Sequence, residues 1–123
     1  MSDTSHLERG LVIRRPWVDL IAEGEKTWEL RRRSTTVRGR LGLIAGGTGT
    51  IVGEADLVDV LGPFQPDELH NQRHKHCVPD AYVDSYAGPG RLYAWVLKGA
   101  VRYDTPVPYE HPPGAVIFVK LKQ

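Results

Sequence analysis

The run GEKTWELR, residues 24–31, carries the strongest fold information in this chain. Its glycine suits the position that follows the end of a helix, and the alternation after it is typical of a strand. Trp28 and Leu30 then point to one side, into a core. Glu29 and Arg31 share the other side. The run predicts a helix-to-strand corner that brings a lysine, a carboxylate and a guanidinium together.

A short helix is predicted immediately before this corner, at residues 17–23. Trp17, Leu20 and Ile21 recur at i, i+3 and i+4 and form one apolar face. So short a helix depends on packing instead of intrinsic propensity. We therefore expect it to lie against a sheet that includes a first strand at residues 11–13.

The rest of the chain reads as strands with short helical insertions. The alternation slips near Val58, which predicts a bulge, and Gly99 predicts a bend. Pro79 divides a helical stretch between residues 67 and 86, and the proline-rich residues 106–113 predict an irregular or edge segment. The remaining predicted strands are residues 27–33, 41–45, 50–60, 91–103 and 115–121.

This pattern predicts a mainly β or α+β fold. Five or six strands with two or three short helices favour a small, partly closed β-barrel. We expect the helix at residues 17–23 to plug one end, and the strand at residues 115–121 to close the sheet.

Size and composition predict one domain at residues 10–123 after a flexible N-terminus, residues 1–9. The chain is 41% hydrophobic and 25% charged, which is ordinary for a soluble globular protein. No apolar run approaches the ~20 residues that cross a bilayer, so no membrane partner is expected. The single cysteine, Cys77, fits a cytoplasmic location.

The net charge of +1 hides a local asymmetry. Residues 26–40 hold six basic side chains against one acidic side chain, whereas residues 41–69 hold five acidic side chains and no basic one. A basic strip on a neutral protein suits an anionic ligand such as RNA. The same pattern also arises when a basic strand pairs with an acidic strand.

The corner and its flanks resemble a known family, the activating signal cointegrator homology (ASCH) domain, a relative of the PUA-like RNA-binding barrels. Pro16-Trp17, the Gly-x-Lys-x-x-Glu-x-Arg of residues 24–31, and Arg38-Gly39-Arg40 carry the likeness. It is strongest in residues 16–44 and extends over residues 11–122, with further support from residues 93–97, 106–109 and 114–117.

The resemblance implies a cleft beside the lysine motif, with RNA or a modified nucleoside as its ligand. Some members resemble ribonucleases, and one bacterial branch hydrolyses N-acetylated cytidine. Those amidohydrolases carry a threonine three residues after the motif lysine and a glutamate in a later helix. Here Glu29 stands at the threonine position, and residues 71–76 contain no glutamate. Lys26 therefore carries over, but the nucleophile and its acidic partner do not.

Candidate site residues follow from the corner and from the resemblance. Lys26 and Glu29 are the candidate catalytic groups, with Glu29 either an acid or base or the partner of an ion pair. Trp17 is either core or a stacking platform. The predicted nucleic-acid-binding residues are Trp17, Lys26, Arg31, Arg33, Arg38, Arg40, Tyr93 and Trp95.

No cofactor or metal is predicted. The glycine-rich residues 46–49 lack the Lys-Ser/Thr ending of a phosphate loop and read as a hairpin turn. His70, His74, His76 and Cys77 match no strong zinc spacing. They read as a basic, partly exposed helix end, and an alternative is that His74 or His76 reaches the cleft and contacts phosphate.

Three hypotheses remain open at this stage. The first is a module that binds single-stranded RNA or a nucleotide, including a modified base, in a basic cleft with aromatic walls. The second is an RNA-processing enzyme, a ribonuclease or a modified-nucleoside amidohydrolase, that uses the same cleft. The third is a protein-interaction adaptor that keeps the barrel without the ligand. The sequence leaves the oligomeric state open.

Overall fold

A computed structural model gives the structure of residues 2–121. It has a mostly β α+β fold, as predicted. Met1, in the expected flexible terminus, and Lys122 and Gln123, at the end of the expected domain, lie outside the described residues. The elements are β1 (Arg9–Ile13), α1 (Trp17–Ala22), β2 (Trp28–Arg31), β3 (Gly39–Ala45), β4 (Thr50–Phe64), α2 (Pro66–His70), α3 (Arg73–His76), α4 (Asp80–Ala87), β5 (Leu92–Pro108) and β6 (Phe118–Lys120).

The six strands form one mixed sheet in the order β2-β5-β4-β3-β1-β6. Strand β1 runs parallel to β3, and all other neighbours are antiparallel. The expectation that residues 115–121 close the sheet is wrong, because β6 pairs with β1 and not with β2. Side chains bridge the gap instead: Arg31 Nη2 donates to the Val12 oxygen at 2.9 Å. Trp95 stacks on Phe118 with 5.7 Å between ring centroids.

Both faces of the sheet are covered. The alternation in β2 places Trp28 and Leu30 in a core cluster shared with α2 and α4, as predicted. The opposite face of the sheet packs against α1, where Val18 and Ile21 are fully buried. Glu29 therefore lies inside the molecule too, at 6% exposure. Residues 28–30 of β2 are therefore buried on both faces of the sheet.

The long strands β4 and β5 bend around this core. Their pairing shifts at four places, and one shift falls between Leu57 and Asp59, so the predicted bulge at Val58 is confirmed. Gly99 has φ +64° at another irregularity. Bulges increase local twist, which curls the sheet. Strand β5 runs past the predicted end, but beyond Val96 it pairs with β4 alone, so its prolines lie on a sheet edge.

The helical stretch contains three short helices where we predicted two, because Asn71 and Gln72 interrupt it. The N-terminal residues expected to be flexible include the buried Leu7. His6 also contacts Glu54, with 3.0 Å between Nε2 and Oε2. None of the helices among residues 2–121 is long and apolar enough to span a bilayer.

The bend in β4 generates a test of the fold. A Cβ added at Gly53 would collide with the backbone oxygen of Val101 on β5. We therefore expect Gly53→Ala to lower the free energy of unfolding by about 2 kcal/mol, as overpacking does, measured by urea denaturation. Gly46→Ala is the matched control, because its nearest neighbour is at an ordinary 3.5 Å. Equal stability of the two variants would contradict the predicted close approach of β4 and β5.

Candidate functional site

A cavity of about 440 Å³ lies beside β2, where the sheet fails to close. Helices α1 and α4 form its walls, and β1 and β2 contribute at its base. Its lining consists of cations, one carboxylate, aromatic rings and aliphatic side chains: Val12, Arg14, Trp17, Lys26, Glu29, Leu30, Arg31, Arg32, Val78, Tyr82, Val83, Tyr86 and Val116.

Lys26 is held inside the protein by its hydrogen bonds. Gly24 ends α1 with φ +84°, as predicted, and the Lys26 backbone N–H donates to the Leu20 oxygen at 3.1 Å. The side chain, 1% exposed, then turns inward. Its Nζ donates to the Trp28 oxygen at 2.7 Å and to the His76 oxygen at 2.6 Å. Burial holds the pKa of Lys26 below its usual value, and the nearby Glu29 opposes that shift.

Glu29 forms the ion pair that the sequence left as one of two alternatives. Its Oε2 accepts from Arg31 Nε at 3.0 Å and lies 2.9 Å from Arg31 Nη2. Its Oε1 lies 3.6 Å from Lys26 Nζ. One carboxylate therefore bridges two cations, and the three groups carry a net charge of +1. We call Lys26, Glu29 and Arg31 the charged triad.

Aromatic rings enclose the charged triad on two sides. The Trp17 ring centroid lies 5.6 Å from Lys26 Nζ, and the Trp95 ring centroid lies 5.4 Å from the guanidinium carbon of Arg31. Trp17 packs against the core clusters, which is one of the two roles left open by the sequence, and it also lines the cavity. Tyr82 meets Trp17 edge-on at 5.6 Å between centroids.

His76 is a buried residue whose backbone oxygen contacts Lys26. The sequence left it as an exposed group or a phosphate contact, but its side chain is fully buried. The Val78 N–H donates to Nδ1 at 2.9 Å, and Nε2 lies 2.7 Å from the Leu69 oxygen. Burial holds the pKa of His76 below its usual value. The ring therefore stays neutral near pH 7, while the His76 carbonyl anchors Lys26.

Several predicted site residues lie outside this cavity. Arg40 pairs with Glu54 at 2.7 Å and with Asp56 at 3.4 Å, so the basic and acidic segments do meet across β3 and β4. Arg38 is exposed and donates to backbone oxygens of its own loop. Arg33 is also exposed.

Tyr93 and Trp95, the predicted nucleic-acid-binding residues of β5, pack into the core. Trp95 is 2% exposed, and its Nε1 donates to the Arg33 oxygen at 2.9 Å. Tyr93 is half-buried against the same core cluster. The alternation of β5 places both residues on the same face, which packs in the core cluster that contains Val18 and Ile21 of α1.

The sequence did not identify Arg14, Arg32, Tyr82 and Tyr86 as site residues. Arg32 donates to the Tyr86 oxygen at 2.8 Å, and its guanidinium carbon lies 4.5 Å from the Tyr86 ring centroid. The available signal was the i, i+4 spacing of two tyrosines on the helix predicted from Asp80. Nothing local indicated that this helix would lie across from β2.

Residues 46–49 form the turn between β3 and β4, as predicted, with Thr48 N–H donating to the Ala45 oxygen at 3.1 Å. Within residues 2–121, no group of three or more His, Cys, Asp or Glu side chains is placed to hold a metal ion. The site's chemistry therefore consists of hydrogen-bonded cations, one carboxylate and aromatic faces.

Comparisons with known proteins agree on one family. The model of the ASCH domain matches residues 11–105. The solved structure of ASCH from Zymomonas mobilis is similar with a TM-score of 0.74 and 16% identity, covering 94% of this chain and 87% of that one. Two mutant forms of that protein give the same TM-score, at 16% and 17% identity over 88% and 90% of their chains. A comparison with curated proteins finds no match.

The buried ammonium generates a stability prediction. Lys26→Met keeps an unbranched chain but leaves two carbonyl oxygens without their donor and Glu29 with one cation fewer. We expect a loss of about 3 kcal/mol in the free energy of unfolding, the scale for breaking a buried ion pair. Lys98→Met, on the exposed face of β5, should change it by less than about 0.5 kcal/mol. Denaturant titration of both variants beside the wild type measures the difference; equal effects would contradict a structural role for Lys26.

Two histidines give stability opposite dependences on pH. The folded-state pKa of His76 is lowered, so the unfolded chain takes up a proton first and stability falls as pH drops below about 6.5. The hydrogen bond between His70 and Asp84 raises the pKa of His70. His70 therefore contributes stability at low pH that is lost as pH rises.

We therefore expect His76→Asn to flatten the loss of stability on acidification and His70→Asn to steepen it. For the buried His76, one proton changes the slope by at most about 1.4 kcal/mol per pH unit. Urea midpoints between about pH 5 and pH 8 measure the slopes. Identical slopes in the two variants would show that neither ring has the predicted environment.

Proposed function

This chain belongs to the ASCH domain family, and on that premise we propose that it is a PUA-like module that binds RNA or a nucleotide. The cavity beside β2 is the proposed binding site. The observation that carries the proposal is the meeting of an exposed aromatic wall with several cations around one cavity of about 440 Å³. That volume falls in the usual range for small-ligand sites, about 300–1,000 Å³.

The aromatic wall supplies a surface on which a base can stack. Tyr82 is 44% exposed, which is unusual for so large a ring, and it borders the half-buried Trp17. Tyr86 lies behind it at 6.4 Å between centroids. An unpaired base presents a flat face that such rings accept regardless of base identity. We propose that one splayed-out base of a single strand enters between α4 and β2.

The surrounding cations suit the phosphates on either side of that base. Arg14 and Arg32 are exposed and line the cavity. Arg33 and Arg38 are exposed nearby in the chain and remain proposed contacts for flanking phosphates. Arg40 is a weaker candidate, because two carboxylates already bind its guanidinium.

The charged triad favours binding over catalysis. The Lys26 ammonium is directed at two carbonyl oxygens and the Glu29 carboxylate, and Arg31 occupies the other oxygen of Glu29. A general base needs a lone pair that can reach a substrate proton. In this arrangement Glu29 is 6% exposed, accepts a hydrogen bond from Arg31 and forms an ion pair with Lys26. We therefore propose that the triad shapes the cavity floor and supplies a positive potential, and that turnover of N-acetylcytidine is weak or absent.

We expect the protein to bind a dye-labelled single-stranded RNA of about twelve nucleotides with an affinity that falls as salt rises. For a single strand, log K should change by about −0.7 per log unit of salt for each contacted phosphate. Arg32→Gln should flatten the slope by one such contact. Tyr82→Ala should cost about 1–3 kcal/mol of affinity, the scale of base stacking, and leave the slope unchanged. Fluorescence anisotropy measures both quantities.

Lys98→Gln is the matched control, since it removes an exposed positive charge from β5 outside the cavity lining. This variant should keep the RNA affinity of the wild type, including the part that Tyr82→Ala removes. RNA binding that responds to Lys98 as strongly as to Arg32, and not to Tyr82, would place the interaction elsewhere on the surface. The absence of RNA binding at low salt would overturn the proposed function.

A further inference from the structure

The imidazole of His76 cannot take up a second proton without losing a hydrogen bond. The Val78 N–H points at Nδ1 over 2.9 Å, so Nδ1 is an acceptor and carries no proton. Nε2 then carries the ring proton and donates to the Leu69 oxygen over 2.7 Å. A proton added at Nδ1 would face the Val78 N–H directly. Because the ring is fully buried, no water can relieve that conflict unless the structure opens.

These bonds connect to the cavity by two routes. The His76 carbonyl accepts from Lys26 Nζ at 2.6 Å, and Lys26 in turn lies 3.6 Å from Glu29 in the charged triad. Val78 itself lines the cavity, and the chain continues from it through Pro79 into α4. Helix α4 carries the tyrosines of the aromatic wall. A shift of the turn between α3 and α4 would therefore disturb both the floor and the wall.

We propose that His76 is a positioning residue that makes ligand binding in this cavity dependent on pH. Neutral His76 holds the turn, Lys26 and α4 in the binding arrangement, and protonated His76 releases them. The inference rests on the proposed function and adds to it the regulation of binding by pH. RNA or nucleotide affinity should thus weaken on mild acidification. Exposed histidines act the other way, because they gain positive charge at low pH and attract a polyanion more strongly.

The surroundings of His76 determine the pH range in which its ring becomes protonated. Burial is the main influence that holds the pKa of His76 below its usual value. Two nearby cations, Lys26 from the corner before β2 and Arg73 from α3, also disfavour a positive charge on the His76 ring. Asp80, from α4, favours it, and α2 contributes the Leu69 carbonyl. Release is therefore expected below pH 6.5, not at neutral pH.

The test measures RNA affinity and His76 protonation on the same protein. The twelve-nucleotide RNA, carrying a dye that does not titrate, is bound at constant salt between about pH 8 and pH 5.5. The histidine ring signals are followed by NMR over the same range. We expect affinity to decline by up to tenfold per pH unit below the midpoint at which His76 takes up its proton, the limit for one linked proton.

Three variants separate His76 from the other histidines. His70→Asn and His74→Asn should keep the acid-induced loss of affinity, since both rings lie outside the cavity lining. His76→Asn retains an oxygen near the Val78 N–H but cannot titrate, so the loss should disappear. If His76→Asn does not fold, the coincidence of the two midpoints in the wild type decides the matter.

The outcomes also distinguish this inference from the proposed function. Affinity that is intact at about pH 8 and unchanged or stronger at about pH 5.5 overturns the role of His76 and leaves RNA binding standing. A loss whose midpoint follows His70 or His74 overturns it as well. No RNA binding at any pH overturns the proposed function and this inference with it.

Discussion

The arrangement of the site depends on one buried ammonium group. Removing Lys26 from water costs several kcal/mol, and this is tolerated only if hydrogen bonds and a counter-charge replace the lost hydration. The Trp28 oxygen, the His76 oxygen and the Glu29 carboxylate provide them. These partners belong to β2 and α3. The requirement to satisfy one charge therefore fixes where the helical insertion lies against the sheet.

The charge of Lys26 also affects the gap between β2 and β6, where the sheet stays open. Lys26 lies against one oxygen of Glu29, and the other oxygen orients Arg31. Arg31 then reaches across to the Val12 oxygen on β1, while Trp95 and Phe118 stack beneath it. A full backbone ladder between β2 and β6 would occupy this space. The cavity exists because side chains bridge the gap and leave room beside them.

Features that depend on neighbouring residues could be predicted from the sequence, and features that depend on distant ones could not. The helix stop at Gly24, the two-sided alternation around Glu29 and the bulge at Val58 all follow from local pattern. The opposite is true of Tyr82, which meets Trp17 only because the helical insertion folds back onto β2. Trp95 shows the same limit, since alternation placed it on one face with Tyr93 but did not show that this face would pack against α1.

The charge asymmetry of the sequence has two structural consequences instead of one. Arg40, at the end of the basic segment, is neutralised by Glu54 and Asp56 of the acidic segment across β3 and β4. Arg31 and Arg32, nearer its start, line the cavity, where Glu29 is the one carboxylate among the residues that the structure describes. Strand pairing thus neutralises Arg40 at one end of the basic segment. Arg31 and Arg32, nearer the other end, lie beside the aromatic rings of the cavity. Under the proposed function, a positive site of such limited extent would suit a short segment of an anionic strand better than a long duplex.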